Sequence, residues 1–367
     1  MLFYWMKRAF FKLFFLILHR IIDMKRKIVF ILNPHSGTDN KVKMPKLIEE
    51  YINHEAFDYE IVFTEYAGHA ADIAKDCASR GIDIVVAVGG DGTINEVARS
   101  IVHTNTSLGI IPCGSGNGLA RHLCIPLDPR KAISIINKAC IESLDYGVIN
   151  DLPFFCTCGM GFDAFISYKF AGAGKRGPMT YIENVLKEGL KYKPETYEVE
   201  IEDEKEPMRY NAFLIACANA SQYGNNAYIA PKATMTDGLM DVIIMEPFTA
   251  FDAPQISIDI INKTLDKNSK IKTFRTKHIH VKREKPGYIH YDGDPVIAGE
   301  EVDIAVVHHG IKIIVNAHAD KSKRQPNMVQ NAFSEFFNDL SNMRTDITKQ
   351  GRHIQNINKA LLRKLNN

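Results

Sequence analysis

Two glycine-rich segments, each directly after a short apolar run, constrain this 367-residue chain more than any other feature. Ile82–Val88 reads Ile-Asp-Ile-Val-Val-Ala-Val and runs into Gly89-Gly90-Asp91-Gly92-Thr93. Leu108–Ile111 runs into Pro112-Cys113-Gly114-Ser115-Gly116-Asn117-Gly118. Short apolar runs bounded by turn residues suit strands buried on both faces. A third run, Ile28–Leu32, ends in Asn33-Pro34-His35-Ser36-Gly37. Helical patterns lie at 43–53, His69–Arg80, Thr93–His103 and Pro129–Ala139, and Tyr59–Thr64 is extended. This alternation predicts a doubly wound α/β domain with a parallel sheet. Ligands of such sheets sit beyond the carboxyl ends of the strands, where all three motifs fall.

The residue types at those ends suit a phosphate. Glycine lets backbone approach a ligand without a Cβ in the way. Thr93 is placed to cap the next helix, whose N-terminus favours an anion. Asp91 would repel that anion, so it makes sense if a divalent cation lies between them, or if it holds a water or a basic group. As a loop carboxylate among three glycines it is expected to have no packing role. Gly114 and Gly116 permit close approach, and Ser115 and Asn117 supply hydrogen bonds. The spacing is neither G-x-G-x-x-G nor a Walker loop. Asn33–Gly37 consists of turn formers and takes its meaning from its place at a strand end.

From about Asp151 the rhythm changes. Strand patterns occur at Phe154–Cys158, Tyr197–Ile201, Asn211–Ala218, Asp241–Met245, His278–Lys282, Tyr288–Asp292, Glu301–Val307 and Ile311–Val315. Helical pattern is limited to Met179–Leu190 and Ala253–Leu265. A mostly antiparallel β-sandwich or flattened barrel is expected. Tyr291-Asp292-Gly293-Asp294-Pro295 has the composition of a hairpin turn. Asp237-Gly238-Leu239-Met240-Asp241 suits either a turn or a cation loop of paired carboxylates. The expected organisation is an extension over 1–23, an α/β domain over 24–149, a β-rich domain over 150–320 and a tail over 321–367.

The charge balance, 45 − 43 = +2, supplies no field that calls for a nucleic-acid partner, and none is expected. Seven cysteines without a Cys-x-x-Cys pair suit reduced thiols in a cytoplasmic protein and no zinc site. In residues 1–23 the uninterrupted apolar stretch, Leu13–Leu18, falls short of the roughly 20 residues that span a bilayer. That segment is either an interfacial anchor or an extension upstream of a start at Met24. The tail from Lys321 carries nine Lys/Arg against three Asp/Glu, or +6. Phe333, Phe336, Phe337 and Leu340, then Ile354, Ile357, Leu361 and Leu365, recur at helical spacing. Such helices pack on the parent domain or on a second copy in a homodimer, or touch anionic lipid.

Taken in order, Asn33–Gly37, Gly89–Thr93 with Asn95 and Glu96, Gly114–Ala120, Asp145-x-Gly147 and Asp292-Gly293 resemble the diacylglycerol kinase catalytic-domain family. That family includes bacterial diacylglycerol kinases, sphingosine and ceramide kinases and related bacterial lipid kinases. The resemblance runs from about Lys25 to Val315. The Gly-Gly-Asp-Gly core is shared with NAD kinases and phosphofructokinases, so the ordered set carries the specificity. The resemblance implies an ATP-binding α/β domain, a β-rich domain and a lipid bound between them. It places Gly89, Gly90, Asp91, Gly92, Thr93, Gly114, Ser115, Gly116 and Asn117 along ATP, with Asn33, Ser36 and Gly37 nearby. It assigns Asp91 and Asp145 to a Mg²⁺-linked acidic network, and Asp292 to the base that takes the lipid hydroxyl proton. Asp237 and Asp241 resemble the family's structural Mg²⁺ loop. Asp294 stands beside the ATP site where the family usually has Glu. Gly118 stands where many bacterial members have Asp, and Gly-Ser-Gly-Asn with a small residue next looks closer to the sphingosine and ceramide kinases. The implied protein is an ATP-dependent kinase of diacylglycerol or a sphingoid-type lipid, cytoplasmic and peripheral to the membrane. Two alternatives stand beside it: a kinase of a soluble substrate such as NAD or a sugar phosphate, and a non-catalytic nucleotide- or lipid-binding regulator.

Overall fold

The computed structural model describes residues 25–34, 43–170, 188–189, 191–202, 206–249 and 251–319. Ser36, Gly37, both chain ends and most of the expected helix Met179–Leu190 lie outside the described residues. Two compact units emerge: one ends at Leu144 and resumes at His309, and the other is Asp145–His308.

The first unit runs β1 (Arg26–Leu32), α1 (Met44–Tyr51), β2 (Phe57–Phe63), α2 (His69–Ser79), β3 (Ile84–Gly89), α3 (Asp91–Ile101), β4 (Ser107–Pro112), α4 (Gly118–His122) and α5 (Pro129–Lys138). Its strands are parallel in the order β2-β1-β3-β4. All six residues of β3 and all six of β4 are buried, which is why these strands show no polar alternation. Leu32 pairs with Val88, and Gly89 with Pro112. The register therefore brings the ends of β1, β3 and β4 level. Asp128 caps α5 by accepting the Arg130 and Lys131 N–H groups, with Pro129 in the first turn.

The second unit takes over within β5 (Ile141–Ile149). It continues through β6 (Leu152–Phe154), β7 (Thr157–Gly161), α6 (Phe162–Phe170), β8 (Glu195–Ile201), β9 (Met208–Ala212), β10 (Leu214–Ala218), β11 (Met240–Met245) and α7 (Ala253–Asn262). There follow β12 (Ile271–Thr276), β13 (His278–Arg283), β14 (Gly287–Tyr291), β15 (Asp294–Ala298) and β16 (Glu301–Ile314). One antiparallel sheet has the order β12-β11-β10-β7-β14-β15. Facing it, the first half of β16 pairs with β13, β13 with β8, and β8 with β9, all antiparallel. Met160, Ile215 and Ile244 meet Val199, Val281 and Ile304 in the core of this sandwich. A second core on the outer face of the six-stranded sheet joins Ala216 and Ile243 to Phe162, Ile166 and Ile256. With both faces covered, β10 is apolar at every position, Leu-Ile-Ala-Cys-Ala.

Three expectations are corrected. Asn211–Ala218 is not one strand: β9 and β10 break at Phe213 and join different sheets. The two strands expected over 301–315 are one strand, β16, carried through His309 at φ 52. Its end lies in the first unit, where Ile313 pairs in parallel with Leu108 of β4. Finally, α3 begins at Asp91 after an extended Gly90, with no side-chain cap, so Thr93 sits inside the first turn. No helix among the described residues is long and apolar enough to cross a membrane.

Candidate active site

The loops after β3 and β4 touch at the limit of van der Waals contact. A Cβ on Gly114 would lie 2.6 Å from the Gly90 Cα, and a Cβ on Gly90 would lie 3.2 Å from the Gly114 Cα. Glycine is required at 114 for this approach, and at 90 a Cβ would be tight. The Cys113 N–H donates to the Gly89 carbonyl at 2.7 Å, one step beyond the strands. Asn117 adopts the left-handed conformation at φ 53, which Asn tolerates better than most residues. Its side-chain amide folds back on Gly114, accepting that residue's N–H at 2.9 Å and donating to its carbonyl at 2.7 Å.

Asp91 fastens the first loop to the second. Its Oδ2 accepts the Asn117 N–H at 2.8 Å and its Oδ1 the Gly118 N–H at 2.7 Å. The expectation that this carboxylate has no packing role is therefore corrected. Desolvation pushes its carboxyl above the usual carboxylate range, while these two N–H groups and the Arg121 charge pull it back. Arg121, itself buried, donates from Nε to the Gly116 carbonyl at 3.0 Å. Asn33 joins from β1: its Nδ2 donates to Thr93 Oγ1 at 3.1 Å, and its N–H to the Val88 carbonyl at 3.2 Å. Asn33, Gly89–Thr93 and Gly114–Asn117 thus converge, with Ser115 exposed and open space where a Gly92 Cβ would be. A glycine floor beside the N-terminus of the 11-residue α3 suits an anionic ligand.

Asp145, fully buried, accepts the Gly238 N–H on Oδ2 at 2.7 Å and pairs through Oδ1 with His308 Nδ1 at 2.8 Å. It is thereby joined to the segment that holds Asp237 in the loop and Asp241 at the start of β11. Those two carboxylates share Arg275: Asp237 Oδ2 accepts from Nη2, and Asp241 Oδ2 lies 3.4 Å from Nε. Asp241 Oδ2 is buried with only this long Arg275 contact and no well-formed hydrogen bond, and burial pushes its carboxyl up while Arg275 pulls it down. Hard cations take oxygen ligands, but the Arg275 guanidinium already neutralises this pair, so the two carboxylates offer oxygens to Mg²⁺ only where that ion pair opens. At Asp91 and Asp145 the observed partners are N–H donors and a histidine.

Asp292 and Gly293 have φ 47 and φ 90, the two left-handed residues that a tight hairpin turn requires. They join Tyr291 of β14 to Asp294 of β15, which pair across the turn. The Asp292 carboxylate also accepts three backbone N–H groups: Phe155 at 2.9 Å on Oδ2, and Cys156 at 2.7 Å and Thr157 at 3.1 Å on Oδ1. Its own N–H donates to the Thr157 carbonyl at 2.8 Å. Asp294 is exposed at the start of β15.

Sequence patterns did not single out the polar cluster behind this turn. His290, 2% exposed, has Nε2 3.1 Å from Asp163 Oδ2, and the Tyr223 hydroxyl donates to the same oxygen at 3.2 Å. A histidine amid the apolar residues of β14 was the one available signal. Arg275 was missed too, because its two partners lie at a distance no local spacing encodes.

Residues 27–149 match the family model described as the diacylglycerol kinase catalytic domain. Residues 157–303 match the YegS C-terminal NAD kinase beta sandwich-like domain. An uncharacterized protein of Synechocystis sp. is 31% identical over 252 residues, 65% of this chain and 58% of that protein. The match thus spans less than two thirds of that relative. A diacylglycerol kinase of Mycobacterium tuberculosis is 26% identical over 276 residues, 73% of this chain and 88% of the relative. One from Bacillus subtilis is 28% identical over 228 residues, 61% and 74%. A crystal structure of a diacylglycerol kinase from Bacillus anthracis superposes with a TM-score of 0.62 at 21% identity, covering 80% of this chain and 97% of that one, a likeness of fold. With both models matched in succession along one sequence, the chain belongs to the diacylglycerol kinase catalytic-domain family.

Proposed function

We propose that this chain is an ATP-dependent lipid kinase that transfers the γ-phosphoryl group to a lipid hydroxyl, diacylglycerol or a sphingoid-type lipid. The observation that carries the proposal is the contact of Gly90 with Gly114, which leaves no room for a Cβ on Gly114. Backbone exposed in that way at the carboxyl ends of parallel strands, beside the start of α3, is suited to a polyphosphate. The Gly89–Thr93 and Gly114–Asn117 loops would hold ATP, with Asn33, Ser36, Gly37 and Asp294 assigned beside it by the family resemblance. The choice of a lipid acceptor rests on the relatives named diacylglycerol kinase.

Phosphoryl transfer asks little covalent work of a protein, and most of the catalysis is positioning and charge stabilisation. Asp292 takes the proton of the lipid hydroxyl, a contribution on the order of 10²–10⁴ in rate. Its three N–H donors hold the carboxylate in one orientation for that step. Where Mg²⁺ binds, Asp237 and Asp241 would hold it structurally, and Asp91 and Asp145 belong by resemblance to the network that offsets charge on the phosphoryl oxygens. The lipid places the enzyme at a membrane surface, which it reaches peripherally through its basic segments.

The test is purified protein with Mg²⁺ and radiolabelled ATP against diacylglycerol, monoacylglycerol, sphingoid bases and ceramide, with NAD and sugar phosphates as soluble arms. Label in one of the lipids supports the proposal. Label only in a soluble acceptor, or in none, overturns it.

A further inference from the structure

The geometry points to Asp163 and His290 as positioning residues that hold the Asp292–Gly293 turn, with Asp163 acting by fixing which ring nitrogen of His290 carries the proton. This inference rests on Asp292 being the base of the proposed kinase.

The Asp163 carboxylate stands in the first turn of α6. Its Oδ1 accepts the Ala164 N–H at 2.7 Å. Its Oδ2 receives the Tyr223 hydroxyl at 3.2 Å and faces His290 Nε2 at 3.1 Å. An ionised carboxylate only accepts hydrogen bonds, so Nε2 must bear the hydrogen. In the neutral imidazole this leaves Nδ1 as an acceptor. The Gly293 N–H donates to Nδ1 at 3.4 Å. The chain of bonds therefore runs from Tyr223 and Asp163 through the ring to the backbone of the turn. The opposite tautomer would set an N–H on Nδ1 against the N–H of Gly293, and the turn would have to move.

The turn is held from its other side as well. Asp292 meets the Phe155, Cys156 and Thr157 N–H groups. A shift at Gly293 is a shift of the Asp292 Cα, so the ring and the three N–H groups together define where the carboxylate stands. An Asp-Gly hairpin forms without any such support, and burying a histidine, a carboxylate and a phenol costs desolvation. A Cβ on Gly159 of β7 would come within 2.6 Å of Asp163 Oδ2 and equally within 2.6 Å of the Ile215 carbonyl oxygen, so the carboxylate packs directly on the strand backbone. A cluster that the turn does not need for folding, aimed at the residue assigned to proton transfer, is explained by positioning.

Three measurements decide it, using the full chain with ATP, Mg²⁺ and diacylglycerol in mixed micelles. First, imidazole nitrogen NMR on the wild-type protein should show His290 as the Nε2–H tautomer; an Nδ1–H ring overturns the inference without any variant having to fold. Second, Asp163→Asn offers one oxygen where three donors met a carboxylate. It should lower kcat on lipid about tenfold or more and leave KM for ATP within about twofold, with Tyr223→Phe losing less. Third, adding Asp163→Asn to Asp292→Asn should cost little beyond Asp292→Asn alone, since both act through one group. An inactive Asp292→Asn beside an Asp163→Asn with wild-type kcat, or with a fully additive loss, overturns the positioning inference alone. A fully active Asp292→Asn overturns the base assignment and this inference with it.

Discussion

Replacing Asp91 by Asn should unfold the protein more easily as well as slow it. Each Asp91 oxygen accepts one backbone N–H, from Gly118 at 2.7 Å and Asn117 at 2.8 Å. An amide has a single oxygen, so one N–H keeps a neutral bond and the other faces an NH₂ group. A hydrogen bond to a charged group contributes about 1.5–3 kcal/mol, and a lost partner costs a similar amount. Against this, the neutral amide escapes the desolvation that holds the Asp91 carboxyl above its usual range. The net loss should be about 1–3 kcal/mol, which lowers Tm by roughly 3–10 °C in a unit of this size. A carboxyl raised in the folded state contributes stability that is present below its ordinary value of 3.8 and lost as pH rises through the raised value. The gap between wild type and Asp91→Asn should accordingly be wider near about pH 4 than near about pH 7. Calorimetry across that range, with ATP binding measured alongside, tests the reasoning. An Asp91→Asn protein that melts with wild type at every pH and loses only turnover would show that the carboxylate holds nothing together.

The neighbouring glycines should split by position. Gly114→Ala drives a Cβ to 2.6 Å from backbone, an overpacking cost of about 1–3 kcal/mol with weakened ATP binding. Gly92→Ala meets nothing within 4 Å inside α3 and should gain up to about 1 kcal/mol of helix propensity; thermal melts of the pair check both signs. Asp292→Asn should cut lipid turnover about 10²-fold or more and also lower Tm, because one oxygen replaces two under three N–H donors; ATP affinity, read by calorimetry, should hold. Asp294→Glu, the family's usual residue, should preserve or raise lipid turnover in the same assay. Sedimentation with anionic vesicles should show binding that falls as salt rises, since the Debye length is about 8 Å at physiological strength. Removing residues 321–367, which carry +6, should weaken it, and equal binding to neutral vesicles at low salt would count against this account.

What was legible in the sequence follows from what is local. β3 and β4 stood out because every residue in them is buried, and the glycine motifs because strand ends announce themselves by composition. β15 did not stand out: it begins Asp294-Pro295, and proline in a strand reads as a break. Its place at the sheet edge is what makes that proline tolerable. α6 was hidden because its apolar residues spread around the helix, and β9 ran into β10 because an apolar Phe213 bridges the switch between sheets. Nothing local could say that β16 ends in the first unit, or that Arg275 would settle between Asp237 and Asp241.

The acids show most clearly where sequence reasoning stops. Asp91, Asp145 and Asp292 were each singled out for chemistry, and each accepts backbone N–H groups from a segment far along the chain. Asp91 reaches 26 and 27 residues ahead, Asp145 reaches 93, and Asp292 reaches back 135 to 137. A buried or half-buried carboxylate in such a place joins two loops whose own N–H groups would otherwise lack acceptors. This does not compete with a role in phosphoryl transfer, which needs charged groups that stay put. It does change what a mutation can prove. Loss of activity at any of the three is expected whether the residue acts on substrate or only closes its unit. Only a loss that exceeds what the measured loss of stability explains, and that falls on kcat at constant ATP affinity, assigns chemistry to the side chain. By that standard Asp292 is the informative position. Its partners, Phe155, Cys156 and Thr157, belong to the same unit, so substitution leaves the Gly90–Gly114 contact in the other unit in place, and ATP binding serves as an internal control.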